Sequence, residues 1–92
     1  MKNLYGYDLL IEDFLNKRIS AEEFRTSYFD KFKNEKNFLD DNFFDNLDWL
    51  FAEADGYTTN RELLTKKPDF YINEDQLRDS ATKTLQEIRA LK

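Results

Sequence analysis

Apolar residues recur at three- and four-residue intervals through most of this chain, the period of a helix with one buried face. Over residues 4–18, Leu4, Tyr7, Leu10, Ile11, Phe14 and Leu15 fall on one stripe and predict a first helix. Ser20-Ala21-Glu22-Glu23 then reads as a capping box: the Ser20 hydroxyl accepts from the amide of Glu23, and the Glu23 carboxylate from the amide of Ser20. Ile19 is the staple residue ahead of it. In the second helix that starts there, Phe24, Tyr28, Phe32 and the stem of Lys31 share a face, while Lys31, Lys33 and Lys36 suit its negative end. Asp40 or Asp41 caps a third helix with the core face Phe43, Leu47, Leu50, Phe51 and Ala54. Gly56 is expected to close it in a left-handed conformation. Residues 58–72 have no strong period, and Lys66-Lys67-Pro68 stops any helix begun around residues 60–64, so a long connection is expected. Asn73-Glu74-Asp75-Gln76 is a second capping box, opening a last helix with Leu77, Ala81, Thr84, Ile88 and Leu91 on its stripe. The expected fold is all-α: an antiparallel four-helix bundle with a long connection between the third and fourth helices, in a single domain over residues 1–92.

Composition strengthens the helical reading and narrows the chemistry. Two Gly, one Pro and no Val leave little material for strands and hairpins, and nine Phe with five Tyr predict a core built on rings. With no Cys and no His, the chain lacks a disulfide framework, a thiolate nucleophile, a zinc-type ligand set and an imidazole base. Carboxylate pairs such as Asp40 and Asp41 come without a nucleophile or cofactor motif, so neither catalysis nor a cofactor is expected. Asp8, Glu12 and Asp13 interrupt the N-terminal apolar run; neither signal peptide nor membrane span is expected, and residence is expected to be cytoplasmic.

Charge changes the picture more. Residues 37–60 hold six acids (Asp40, Asp41, Asp45, Asp48, Glu53, Asp55) and no Lys or Arg, whereas outside them 13 acids face 14 bases. The net charge of −5 is therefore local to the third helix and its flanks. At about 100° per residue, Asp41, Asp45, Asp48 and Asp55 share a flank clear of the core face. Trp49 projects opposite Leu47, among Asp45, Ala52 and Glu53. Such a face attracts a positively charged partner or is simply a solvated helix surface. Trp49 is either a hot-spot residue for that partner or covered by residues 58–72. Direct nucleic-acid binding is not expected, because the basic cluster at residues 31–36 is short, interrupted by Glu35 and matches no RNA-binding motif.

Ile19-Ser-Ala-Glu-Glu-Phe24 with Tyr28, Leu47-Asp-Trp-Leu-Phe51, Ala54-Asp-Gly-Tyr57 and Ile72-Asn-Glu-Asp-Gln-Leu-Arg78 together resemble the bacterial self-protective colicin-like immunity proteins of the colicin D type. The likeness runs over nearly the whole chain, mostly at core and capping positions. It implies a small four-helix bundle that binds the basic, RNA-cleaving C-terminal nuclease domain of a cognate toxin. In the colicin D case that toxin is a tRNase, and some relatives serve contact-dependent growth-inhibition toxins. It also implies inhibition by acidic side chains laid over the active site as an RNA mimic. The acidic positions carry over to Asp48, Glu53 and Asp55, with Tyr57 close by. Residues 59–67 supply less acid than the family pattern. The combined expectation for the toxin-binding centre is Asp45, Asp48, Trp49, Glu53 and Asp55, with Asp41, Tyr57 and Glu62 at its edge.

Two rival functions start from the same residues. Glu53, Asp55, Gly56 and Glu62 coincide with the third, fifth, sixth and twelfth places of an EF-hand calcium loop, but Phe51 takes the first, where a carboxylate belongs. A second frame from Glu12 to Glu23 has Phe14 at a ligand place and Lys17 at the turn glycine. A degenerate calcium-binding protein or a small helical adaptor is the alternative to an immunity protein.

Overall fold

Helices begin where a polar side chain can take up the free amides of a first turn. In the computed structural model, which describes residues 3–91, five helices follow that rule with one exception. They are α1 (Tyr7–Leu15), α2 (Ala21–Lys33), α3 (Asp41–Asp55), α4 (Arg61–Lys66) and α5 (Glu74–Ala90). Both capping boxes form: Glu23 N donates to Ser20 Oγ at 3.1 Å and Gln76 N to Asn73 Oδ1 at 2.9 Å, each with its return bond. Asp40 is the cap of α3, accepting from Asn42 N, and Asn60 caps α4 through the amides of Glu62 and Leu63. The exception is α1. Tyr5 and Gly6 sit at φ 55° and 84°, a left-handed corner that delays the helix expected from residue 4 until Tyr7.

The connection expected to be long and irregular instead contains α4. Asn60 supplies the start, and the helix ends at Lys66, with Lys67 and Pro68 beyond it, where the missing proline amide forbids continuation. Without a buried residue of its own, α4 leaves the packing to the other four helices. These close a ring of neighbours, α1 on α2, α2 on α3, α3 on α5 and α5 on α1.

One cluster of side chains fills the ring, and it is built on aromatics. Tyr7, Phe14, Phe24, Tyr28 and Phe43 are all buried, with Phe14 and Phe24 stacked at 4.5 Å between centroids and Tyr7 edge-on to Tyr28 at 5.9 Å. From α3 come Leu47, Leu50 and Ala54, and from α5 Leu77, Ala81, Thr84 and Ile88. Phe51, expected on the core face, is only half-buried. It leans toward α2, against Phe29 at 4.5 Å and Phe32 at 5.5 Å.

Gly56 ends α3, but not in the expected left-handed conformation: its φ is −82°. Space explains the glycine. A Cβ there would lie 2.7 Å from the backbone oxygen of Phe70. Ile72 N donates to Gly56 O and Thr58 N to Ile72 O, a short parallel bridge that holds residues 70–72 against the end of α3.

Candidate functional site

Helix α3 lies between α2 and α5, and its 15 residues divide by turn. One side delivers Phe43, Leu47, Leu50 and Ala54 to the core; the opposite side holds Asp41, Asp45, Asp48, Ala52 and Asp55, all exposed. Among the described residues, Asp41, Asp45 and Asp48 make no ion pair and no side-chain hydrogen bond. Asp48 is also felt, weakly, in the interior. Burial above all, with smaller contributions from Tyr7 and Asp48, pushes the Tyr28 phenol well above its ordinary value. The Tyr28 hydroxyl stays protonated and donates to Leu47 O at 2.7 Å, tying α2 to α3.

The two edges of this face differ. Toward α2 stand Phe44, Phe51, Phe32 and Phe29, with Arg25 over the Phe29 ring at 5.0 Å and Lys33 over Phe29 and Phe51 at 5.5 and 5.9 Å. Phe44 is 44 % exposed. Toward α5, Trp49 is 40 % exposed, and the cation over it, at 5.1 Å, is Lys83 of α5 rather than anything from residues 58–72.

The residues expected to act together therefore separate. Asp41, Asp45, Asp48 and Asp55 share the outer face, with Trp49 on its α5 edge. Glu53 is half-buried and turned toward α5, where its carboxylate accepts from Ser80 Oγ at 3.0 Å. Tyr57 is buried, and its hydroxyl donates to Glu22 Oε1 at 2.9 Å, fastening the exit of α3 to the start of α2. Burial first, then this bond, pushes the Tyr57 phenol up to about 12. Glu22 is held below the usual carboxylate range, first by its own backbone amide and then by the Tyr57 hydroxyl. Glu62 stands on α4 in a 2.7 Å ion pair with Lys66 one turn on.

Sequence reasoning missed the groups that answer α3 from its neighbours. Arg25 Nε donates to the carbonyl of Ala54 at 3.0 Å, and Arg25 Nη2 lies 3.8 Å from Asp55, so the C-terminal end of α3 receives a cation from α2. Arg25 is 29 residues from Ala54 in the chain, and Ser80 is 27 from Glu53; no local pattern carries such pairs.

The calcium reading does not survive the geometry. Residues 51–55, the first five places of the better frame, are helical and hydrogen-bonded into α3. The second frame begins at Glu12, paired with Arg89, and ends at Glu23, which closes a capping box. Among the described residues no helix is long and apolar enough to cross a membrane.

Comparison with known proteins finds a family model described as bacterial self-protective colicin-like immunity, matching residues 3–88. No curated protein and no solved structure matches the chain.

Proposed function

We propose a function from one premise: the chain belongs to the bacterial self-protective colicin-like immunity family. It is an immunity protein to a colicin-like toxin, and its family acts by non-catalytic inhibition. The finer reading is that it works in the cytoplasm of the producing cell and binds the basic, RNA-cleaving C-terminal domain of its toxin, a tRNase of the colicin D or contact-delivered kind. The observation that carries this reading is the outer face of α3, where Asp41, Asp45 and Asp48 stand exposed and, among the described residues, unpaired.

An RNA-cleaving enzyme must place Lys and Arg where phosphates bind, since backbone charge dominates nucleic-acid affinity. Helix geometry sets the four acids at axial steps of about 6, 4.5 and 10.5 Å along one rigid rod. They offer the toxin's cations a row of anions without a scissile bond. Trp49 and Phe44 at the two edges supply apolar area that simple electrostatic attraction lacks. Long-range attraction speeds encounter, and the buried rings then slow departure.

The test is the double reversal Asp45→Lys with Asp48→Lys, measured against the RNA-cleaving domain of the cognate toxin. Association is expected to slow at least tenfold and to lose most of its salt dependence, RNA cleavage to resume, and helical circular dichroism to stay unchanged. Unaltered association and undiminished protection would remove the outer face of α3 from the inhibitory surface.

A further inference from the structure

The acidic face of α3 runs into a cavity. Past Asp48 it continues through Ala52 and Asp55, and where the helix stops, residues 67–71 fold across its end. They leave a space of about 400 Å³ lined by Ala52, Asp55, Gly56, Lys67, Phe70 and Tyr71. Its walls are held by backbone: the bridge between Gly56, Thr58 and Ile72 fixes the approach of residues 70–72, and Gly56 alone allows it. Phe70, on the rim, is 73 % exposed, so its ring is open to a partner.

Three features of this cavity favour the same kind of guest. The carbonyls at the end of α3 carry partial negative charge, and the last turn has no basic residue of its own. Asp55 adds a full negative charge at that end, where a helix tolerates it least. Phe70 and Tyr71 present ring surface, which attracts cations and accepts the flat stack of a guanidinium. Arg25 Nε already takes the carbonyl of Ala54 at 3.0 Å, but the chain's own cations answer Asp55 and the rings only loosely. Arg25 reaches Asp55 only at 3.8 Å, with both side chains well exposed, and Lys67 Nζ lies 6.0 Å from the Phe70 centroid, at the limit of a useful contact.

We propose that this cavity receives an arginine side chain of the toxin, a subsite distinct from the open acidic row and resting on the function proposed above. The guanidinium meets the Asp55 carboxylate and stacks on Phe70, its alkyl stem covers Ala52, and Lys67 swings outward. No bond is made or broken. A single inserted arginine at the end of a flat charged face sets the register of the complex, which a row of like charges by itself leaves free to slide.

The test needs no toxin. N-acetyl-arginine amide is titrated into the full-length, isotope-labelled protein, with N-acetyl-norleucine amide as a neutral probe of similar reach. Saturable amide shifts confined to residues 52, 55, 56, 70 and 71 are expected with the arginine probe alone, weakened at least threefold in Phe70→Ala and in Asp55→Asn. Because Phe70 and Asp55 are exposed, both variants keep the fold, checked by circular dichroism. Equal shifts with the norleucine probe, or arginine shifts spread along residues 41–48 and indifferent to Phe70→Ala, would overturn the proposal. Either result leaves the Asp45 and Asp48 reversal to decide the acidic face separately.

Discussion

Two sides of this molecule treat their charges differently. Around α1 and its neighbours the chain answers itself. Arg18 pairs with Asp13 at 3.1 Å, Arg89 with Glu12, and Arg78 with Glu74 at 3.0 Å while its other nitrogen reaches the carbonyl of Phe14 at 2.7 Å. The Tyr7 hydroxyl donates to Glu35 at 2.7 Å under the ammonium of Lys31. On the outer face of α3, by contrast, Asp41, Asp45 and Asp48 have no such partner among the described residues. Surface pairs add little stability, but they cancel the field that a distant partner would feel. An unanswered row projects that field outward, from a helix whose other side is anchored in the core by Phe43, Leu47, Leu50 and Ala54.

The largest effect should come from breaking the aromatic core on which these helices pack. Phe24 stacks on Phe14 and lies 5.4 Å from Tyr28, so Phe24→Ala should cost about 3–5 kcal/mol in denaturant unfolding, lowering the midpoint with little change in slope. Next comes the end of the helix. Gly56→Ala forces a methyl against the Phe70 backbone and should cost about 1–3 kcal/mol, seen most locally as faster hydrogen exchange at the amides of Thr58 and Ile72.

The clasp between Tyr57 and Glu22 gives a smaller, pH-dependent effect. The folded state raises the phenol from 10.0 to about 12 and so favours its neutral form. Its contribution to stability is whole below pH 10 and disappears as pH rises toward 12. The depressed Glu22 works in the other direction, contributing above 4.5 and losing that share as pH falls through its folded value. Tyr57→Phe should therefore be less stable than the parent at neutral pH and converge on it near pH 12, in thermal melts across that range.

Smallest of all, Asp45→Asn with Asp48→Asn should change unfolding free energy by no more than about 0.5 kcal/mol, because neither carboxylate has a stabilising partner to lose among the described residues. A large loss would mean that these acids serve the fold, and the contrast between the two sides would disappear.

Much of the scaffold was legible along the chain, for a physical reason: caps and helical stripes depend on neighbours three or four residues away. Ser20 with Glu23, Asn73 with Gln76 and the core face of α3 all show this. Proline marks where α4 must stop, whereas its start rests on the Asn60 cap in a segment without a strong apolar period. Both glycines were harder. Gly6 breaks α1 by adopting a left-handed corner, whereas Gly56 is required by a backbone from 14 residues away rather than by its own φ. At the candidate site the stripe of Asp41, Asp45, Asp48 and Asp55 followed from helical spacing, whereas spacing left open whether residues 58–72 cover Trp49. Hidden were the contacts that turn Glu53 toward Ser80, bury Tyr57 against Glu22 and bring Arg25 to the end of α3. Those pairs are made by packing between helices, which a single sequence does not encode locally.

Carboxylate footprinting tests the central claim most directly. The free protein and its complex with the cognate colicin-like toxin are treated with carbodiimide and glycine ethyl ester, and each modified acid is quantified by mass spectrometry. Labelling at Asp41, Asp45 and Asp48 should be suppressed in the complex, while exposed Asp75 and Glu87 on α5 keep their free reactivity. Unchanged labelling along α3, with protection at Asp75 or Glu87 instead, would contradict the account.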